Sequence, residues 1–298
     1  MNTRAALLPD RGVVKVVGED VRRFLNGLLT SDITKVAPGA PRYAALLTPQ
    51  GKIIVDCIVV EAPAKDGGGF FLDCPRARAT ALVERLNFYK LRAKLIIEDL
   101  SETLGIMAVW NGGGESRYGL GYLDPRLPEL GTRIMLPPHR VQETAGELGA
   151  ALVDAAEYEA HRIALGIPRG EADFAYGDAF PHEADLDQLT GVDFDKGCYV
   201  GQEVVSRIEH RARARTRVVP VAYDGPAPEP GSAVMAGDKA VGTFGSSAAG
   251  RGLASVRIDR VEEALAQGTH LHAAGVPIRL EKPSWARFAF PGEGRAQA

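Results

Sequence analysis

The feature of this 298-residue chain that most restricts its fold is a predicted β-hairpin from Tyr43 to Val60. Its sequence, YAALLTPQGKIIVDCIVV, places one apolar run on each side of a Thr-Pro-Gln-Gly turn. Proline and glycine supply the backbone angles of a tight turn, and both flanking runs have the composition of strands. A hairpin pairs its strands antiparallel, so the chain is not expected to form a purely parallel, doubly wound sheet.

Other segments mix strands and helices in the same irregular way. Helical spacing places Val21, Phe24, Leu25, Leu28 and Leu29 on one face, and Pro75 can open a helix whose apolar face holds Leu82, Val83 and Leu86. The remaining predicted elements are strands in GVVKVVG, LIIEDL and LGIMAVW, and helices at about residues 140–148 and 155–165. Together they predict an α+β fold.

A change of composition marks the C-terminal part. The stretch DGPAPEPG, Asp224 to Gly231, holds three prolines, and no helix can cross it. Short apolar runs separated by glycine turns follow, which predicts a small C-terminal β-barrel or sandwich. A chain of this length also invites two or three domains, since single cores stop growing at roughly 250 to 300 residues.

Composition excludes several classes of protein. Hydrophobic residues make up 45% of the chain and charged residues 24%, as in ordinary globular proteins. The formal net charge of -3 does not favour binding to nucleic acid or to anionic lipid. No apolar run approaches the length of a membrane span, and Pro9 interrupts the first apolar residues before a signal-peptide core could form. We therefore expect a cytoplasmic location without membrane attachment.

The three cysteines, Cys57, Cys74 and Cys198, are an odd number without CxxC spacing. This argues against a disulfide framework and against a self-sufficient zinc site. Cys57 lies in an apolar strand and Cys74 precedes Pro75, so both are expected to be small buried hydrophobes.

Cys198 has different neighbours, in the segment DFDKGCYVGQEVVSR from Asp193 to Arg207. Gly197 and Gly201 allow unusual backbone angles or close approach, and Lys196 could lower the pKa of the thiol if its ammonium turned toward the sulfur. A reactive or metal-ligating thiolate is one interpretation. A plain strand-to-helix corner would use the same glycines, and the residues alone leave both open.

The run Lys196 to Glu203 matches K-G-C-Y-x-G-Q-E, and the chain thereby resembles the YgfZ family of folate-binding proteins, which includes a mitochondrial assembly factor for [4Fe-4S] proteins. Supporting stretches are LNFYKLRAKLIIED, DPRLPELGTR, LGIPRG and PHEADLDQLTGVDF. The resemblance implies a fold like the glycine-cleavage T-protein, with three lobes around a tetrahydrofolate site and a C-terminal β-barrel. The implied domains are 1–40 with 140–222 for folate, 41–139 as a ferredoxin-like domain, and 223–298 as the barrel.

The resemblance also implies roles for particular residues. Cys198, assisted by Lys196, would be the reactive thiol and a transient iron-sulfur ligand. The candidate tetrahydrofolate-binding residues are Asp56, Tyr89, Glu183, Tyr199, Gln202, Glu203 and Arg207. A carboxylate can bind the amide edge of a pterin with two hydrogen bonds, and tyrosines can stack on its ring. T-proteins usually carry acids where this chain has Val55 and Ala164, which weakens an aminomethyltransferase reading.

The stretch HRARARTR, His210 to Arg217, alternates four arginines, which would line one face of a strand. Such a stripe could hold a polyglutamate tail, an acidic partner or RNA. Its plainer interpretation is a charged strand edge that discourages aggregation.

Two functions from different classes follow. The favoured one is a non-enzymatic accessory factor that binds tetrahydrofolate and assists iron-sulfur client or assembly proteins through Cys198. The alternative is a folate-dependent aminomethyltransferase-like enzyme in which Asp56 acts on an amine substrate. Nucleic acid is not an expected partner, because the total charge is acidic.

Overall fold

A computed structural model describes residues 2–211 and 214–293. The chain divides into two compact units, each made of two stretches of sequence. The first unit comprises Met1–Tyr158 with Leu189–Gln202, and the second comprises Glu159–Gln188 with Glu203–Ala298. Each unit is described below by itself.

The first unit contains two sheets. Its strands are β1 (Arg4–Leu8), β2 (Arg11–Gly18), β3 (Arg42–Leu47), β4 (Ile53–Glu61), β5 (Phe70–Pro75), β6 (Leu95–Asp99), β7 (Gly105–Trp110), β8 (Leu120–Leu123), β9 (Thr132–Leu136) and β10 (Ala151–Leu152). The first sheet has the order β3-β4-β5-β2-β6 and is antiparallel throughout. The second has the order β10-β1-β7-β9-β8, with only the β1–β10 pair parallel.

Helices complete this unit. They are α1 (Val21–Asn26), α2 (Ala79–Lys90) and α3 (Val141–Glu147). Leu82 and Leu86 of α2 are fully buried in the core of the first sheet, as their spacing predicts. The second sheet has a smaller core, to which α3 contributes Val141 and Ala145. Helix α1 ends at Asn26, so Leu28 and Leu29 lie just beyond it and are buried there.

The second unit is built on a closed barrel. Helices α4 (Ala155–Ala164) and α5 (Gln202–Arg211) each begin at the end of a first-unit stretch of sequence, and most of their residues belong to the second unit. The other elements of the second unit are β11 (Thr216–Tyr223), β12 (Ala233–Ala236), β13 (Lys239–Ala248), β14 (Arg251–Arg257), α6 (Ile258–Ala266), β15 (Leu271–Ala273) and β16 (Val276–Leu280). The barrel order is β11-β14-β13-β12-β15-β16, and β11 pairs with β16 to close it. Val219, Phe244 and Val256 are fully buried in its core.

The predicted α+β class with a C-terminal β-barrel is confirmed. The hairpin predicted between Tyr43 and Val60 is the β3–β4 pair. The barrel begins with β11 at Thr216, ahead of the Pro-rich stretch that suggested its border, because that stretch connects β11 to β12. The three-domain division by residue number stays a prediction. Among the described residues, no helix has both the length and the apolar character needed to cross a bilayer.

Candidate functional site

The segment that leads into the cysteine signature is held against the end of α1. The backbone N–H of Asp193 donates to the carbonyl of Thr30 at 3.0 Å. The Thr30 hydroxyl donates to the carbonyl of Gly191 at 2.5 Å and also accepts from the backbone N–H of Ala45 on β3. One buried threonine therefore joins the β3–β4 hairpin to the segment that carries the signature.

Lys196 is an internal anchor of this segment. Its ammonium donates to the backbone carbonyls of Asn26, Leu29 and Ser31 at 2.7, 2.7 and 2.8 Å. Its Nζ also lies 5.0 Å from the ring centroid of Tyr199. Burial lowers the pKa of Lys196 to about 8. All three ammonium hydrogens are used on carbonyls, so the expectation that Lys196 turns toward the sulfur of Cys198 is not met.

The two glycines of the signature differ in what they require. Gly201 has a φ of +83°, and a Cβ added there would lie 2.6 Å from the carbonyl oxygen of Thr48 in the β3–β4 turn. No heavy atom lies within 4 Å of a Cβ added at Gly197, and its φ is outside the left-handed range. The segment thus approaches the hairpin turn closely at Gly201, and only that position depends on glycine.

Cys198 is the exposed cysteine of the three. Cys57 and Cys74 are fully buried in the core of the first sheet. Burial raises the pKa of the Cys57 thiol well above its ordinary value and that of Cys74 to about 12. The expectation of two buried, unreactive cysteines is confirmed, and the thiol accessible to a partner is that of Cys198.

Asp56 lies on β4 and is 7% exposed. The hydroxyl of Tyr43 on β3 donates to its carboxylate at 3.1 Å. Burial and the nearby Asp56 carboxylate raise the pKa of Tyr43 well above its ordinary value, so this hydroxyl stays protonated and acts as a donor. The guanidinium of Arg126 lies 5.6 Å from the Tyr43 ring centroid.

A buried network of ion pairs that no sequence pattern predicts lies in the same unit. Asp73 accepts from Arg11 at 2.7 Å and from Arg133 at 2.7 Å. Arg133 also donates to Asp124 at 2.8 Å, and Asp124 accepts from Arg126 at 2.7 Å. Three of these residues lie in DPRLPELGTR, but a sequence motif does not reveal that its charges are paired inside the protein. The network joins β2 and β5 of the first sheet to β9 of the second.

The other predicted folate residues have varied surroundings. Tyr89 is half-buried, packs against the core of the first sheet and makes an edge contact with Phe88. The Glu183 carboxylate accepts from the backbone N–H of Phe180 at 2.9 Å and caps its own short helix. Tyr199 is buried beneath Lys196.

Three predicted folate residues lie on helix α5. Gln202 begins the helix and is half-buried, whereas Glu203 and Arg207 are exposed. Among the candidates of the first unit, Cys198, Lys196, Tyr199 and Gln202 share one short segment. Asp56 is connected to that segment by backbone pairing and hydrogen bonds. It lies opposite Ala45 of β3, whose N–H donates to the Thr30 hydroxyl.

The predicted arginine stripe does not form on one strand. Arg211 is the last residue of α5, and β11 begins only at Thr216. Arg217 is buried, and its guanidinium donates to both carboxylate oxygens of Asp187 at 2.6 and 2.9 Å. Arg213 lies outside the described residues. Alternation predicts a shared face only where the chain is extended, and here a helix and a connection interrupt it.

A histidine and two carboxylates meet in the second unit. Ligand atoms of His182, Asp187 and Glu209 lie within 4.8 Å of one another, and His182 Nε2 is 3.1 Å from a Glu209 oxygen. These residue types can hold a divalent metal. However, Asp187 already accepts two hydrogen bonds from Arg217 and one from Gln188. Contacts with other protein groups therefore account for the closeness of these three side chains, and we assign no metal site to them.

Comparison with known proteins identifies a family for the barrel and several related proteins. Residues 215–288 match the family described as the CAF17 C-terminal beta-barrel domain. The human mitochondrial iron-sulfur cluster assembly factor IBA57 is 32% identical over 93% of this chain and 84% of its own length. The IBA57 homologue of Mycosarcoma maydis is 34% identical over 74% of this chain, and that of Coccidioides immitis is 31% identical over 76%. The chain spans only 57% and 59% of the length of these two fungal relatives.

A solved structure confirms the predicted fold type. The glycine cleavage system aminomethyltransferase T from Bartonella henselae matches with a TM-score of 0.74 over 97% of this chain and 88% of its own. Sequence identity is 16%, so the match concerns the fold alone. The glycine-cleavage T-protein-like fold with a C-terminal barrel is thereby confirmed.

The expected cytoplasmic location is contradicted by the same comparison. The human and fungal relatives are all named as mitochondrial proteins. The expectation rested on an apolar run interrupted at Pro9, which bears on secretion through a signal peptide and carries no information about mitochondria.

Proposed function

Because the chain belongs to the IBA57 family of iron-sulfur cluster assembly factors, we propose that it assists the assembly or repair of iron-sulfur proteins through the thiol of Cys198. Tetrahydrofolate binding and a closer relation to YgfZ proteins are parts of the same proposal. The iron-sulfur cluster is cargo here and passes to client or assembly proteins.

The observation that carries the proposal is the contrast between an exposed thiol and the fixed segment on which it lies. Cys198 is exposed, whereas Lys196 and Tyr199 on either side of it are buried. Lys196 holds three carbonyls and Gly201 rests against the β3–β4 turn. A thiol presented on a fixed backbone can meet a partner with little loss of conformational entropy.

One thiol is not enough to hold a cluster. Iron-sulfur clusters are held mainly by several cysteine thiolates. Cys57 and Cys74 are sealed in the core and cannot supply further ligands without unfolding. The remaining ligands must therefore come from a partner protein or from a small thiol, and the cluster would be shared transiently between the two.

The proposed folate site uses Asp56, Tyr89 and Gln202, which all belong to the first unit. The Asp56 carboxylate is oriented by the Tyr43 hydroxyl, and a carboxylate suits the donor edge of a pterin. We leave out the other four predicted residues, of which Glu203 and Arg207 belong to the second unit. The carboxylate of Glu183 caps its own helix, and the Tyr199 ring is covered on one face by an ammonium. Tetrahydrofolate would act either as a carrier of a one-carbon unit or as a ligand that does not react.

The principal test measures [4Fe-4S] enzyme activity in cells whose only copy carries Cys198→Ala. We expect activity to fall to the level of cells that lack the protein. Gly197→Ala is the matched control, because it changes the adjacent residue where a Cβ meets nothing within 4 Å. Full activity with Cys198→Ala would remove the thiol from the function.

Folate binding is tested separately, by anaerobic calorimetric titration of tetrahydrofolate. We expect Asp56→Asn to weaken binding and Cys198→Ala to leave it unchanged, because the two residues have different proposed roles. No heat of binding to the wild type would reject the folate part and leave the thiol part standing.

A second candidate function is transfer of a one-carbon unit to or from an amine. It is supported by a carboxylate at Asp56 within a T-protein-like fold. Turnover of methylenetetrahydrofolate with ammonia or an amine by the purified protein, lost in Asp56→Asn, is its expected result. Absence of turnover in a folate-binding sample would reject it.

A further inference from the structure

The first unit contains a cavity that none of the residues discussed so far line. Its volume is about 440 Å³. Lys15 and Phe71 line it from β2 and β5 of the first sheet, and Leu120 and Met135 line it from β8 and β9 of the second. The cavity therefore lies where the two sheets of this unit meet.

Part of the cavity lining consists of apolar side chains held on the two sheets. Phe71 and Met135 are buried, and each is fixed in a ladder, with Phe71 opposite Lys15 and Met135 opposite Leu120. Leu104 adds further apolar surface. These apolar side chains favour the ring or hydrocarbon part of a ligand.

The charged side chains around the cavity are mostly cations. Lys15, Lys65 and Arg117 line it, and Asp66 is the one acidic side chain among its lining residues. The ammonium of Lys15 lies 5.7 Å from the centroid of the Phe71 ring, so positive charge is held next to the apolar surface. The cavity is thus positive as well as apolar.

Arg117 is placed to receive an anion. Its guanidinium lies 4.9 Å from the ring centroid of Tyr118, which also lines the cavity. Its ion pair with Glu147 is 3.4 Å long, and the Arg117 side chain is 74% exposed. An exposed pair of this kind contributes little, so a ligand anion can compete for the guanidinium.

We propose that this cavity binds a small organic anion with an aromatic body, either a carboxylate or a phosphate monoester. The guanidinium of Arg117 matches the oxygens of such a head group, and Lys65 adds a second positive charge. The apolar side chains of Leu104, Leu120 and Met135 offer surface for the aromatic body. The volume lies within the range of known small-molecule sites. The proposal is independent of the proposed function, because its residues and its ligand test are separate.

The test is calorimetric titration of the full-length protein with 1-naphthyl phosphate, 1-naphthoate and the neutral 1-naphthol. We expect one saturable site that prefers the anions, and the tighter of the two anions identifies the head group. In Lys65→Ala/Arg117→Ala, anion affinity should fall by about tenfold or more, whereas 1-naphthol affinity should stay the same.

The matched control is Arg85→Ala/Arg92→Ala, which removes two exposed cations of the same unit outside the cavity. This variant should bind like the wild type. Equal affinity for 1-naphthol and both anions, or an equal loss in the control variant, would overturn the proposal. All four altered residues lie at the surface, so unfolding is not expected to obscure the result.

A second measurement locates the ligand. The chain has four methionines, and Met135 lines the cavity whereas Met107 lies in the core of the second sheet. With ¹³C-methyl methionine, 1-naphthyl phosphate should shift the Met135 methyl resonance and leave that of Met107 in place. Binding without a Met135 shift would place the ligand elsewhere and reject this site.

Discussion

Cys198 and Lys196 are two residues apart but have opposite surroundings. The thiol is exposed, while the ammonium is buried and donates to three backbone carbonyls. The spacing suggested that the lysine could activate the cysteine. Instead, its ammonium fixes the backbone segment that carries the cysteine. The direction of the Lys196 side chain depends on the fold, because the carbonyls that accept its hydrogen bonds belong to residues 26–31, which are distant in the sequence.

Thiol labelling tests the difference between the cysteines. Under native conditions, 5,5′-dithiobis(2-nitrobenzoate) should modify one thiol, that of Cys198, because Cys57 and Cys74 are fully buried and their pKa values are raised. In denaturant all three should react. The Cys198→Ala variant should show no fast phase. A fast phase that persists in that variant would contradict the assignment.

Replacing Lys196 by methionine should destabilise the first unit. Three carbonyls lose their donors, so we expect the free energy of unfolding near pH 7 to fall by about 2 to 3 kcal/mol. Denaturant unfolding followed by tryptophan fluorescence measures the change, because Trp110 is buried in this unit. No loss of stability would show that the three hydrogen bonds are of little consequence.

The wild type and Lys196→Met should also differ in how the free energy of unfolding depends on pH. Burial lowers the folded pKa of Lys196 from 10.5 to about 8, so between these values the unfolded chain binds more protons at this residue than the folded chain does. The free energy of unfolding of the wild type should therefore rise with pH in this window, relative to Lys196→Met. A wild-type advantage that is constant or falls from pH 8 to 10.5 would contradict the lowered pKa.

At the scale of elements, the β3–β4 hairpin could be predicted from its sequence, but its role as a support could not. The turn residues Thr48 and Gly51 lie against Gly201, which is far away in the sequence. Apolar alternation and turn residues report local structure. They do not report which distant segment packs on a turn, and for that reason both signature glycines looked equally important.

Alanine substitutions separate the two glycines. Gly201→Ala should cost about 1 to 3 kcal/mol, since alanine strains a left-handed backbone and its Cβ would meet the Thr48 carbonyl oxygen. Gly197→Ala should change the free energy of unfolding by less than about 0.5 kcal/mol. Chemical denaturation of both variants gives the comparison. Equal effects at the two positions would contradict the close approach at Gly201.

At the scale of the whole molecule, paired charges connect the sheets of the first unit. Burial by itself would raise the pKa of Asp73, but Arg11 and Arg133 hold it below the ordinary value. The carboxylate therefore remains ionised between two guanidiniums, one from each sheet. Such pairs are costly to disrupt because the partners left behind are buried charges.

The variant Asp73→Asn tests this connection. Removing one charge from a buried network should lower the free energy of unfolding by about 3 to 5 kcal/mol. The control is Glu19→Gln, which breaks a pair with Lys94 whose side chains are 80% and 78% exposed. That change should cost less than about 1 kcal/mol. Similar losses of unfolding free energy in both variants would show that the buried network stabilises the unit no more than an exposed ion pair does.

Much of the architecture could be predicted because local patterns and a sequence signature both point to it. The hairpin, the apolar face of α2 and the strand-rich C-terminal part follow from periodicity and turn residues. The ion pairs of Asp73 and the surroundings of Arg217 could not be predicted, because each depends on partners brought together by tertiary packing. The residues around Cys198 left a reactive thiol and a plain strand-to-helix corner both open; the structure exposes the residue, and its chemistry stays a proposal.

The divided first unit has a consequence for the order of events on the ribosome. Met1–Tyr158 is translated first, but Leu189–Gln202, which brings the ammonium of Lys196, emerges only after a stretch that belongs to the other unit. Until then the carbonyls of Asn26, Leu29 and Ser31 must be satisfied by water. Within this unit, the exposed thiol of Cys198 therefore leaves the ribosome only after the hairpin turn and the carbonyls on which its segment is anchored.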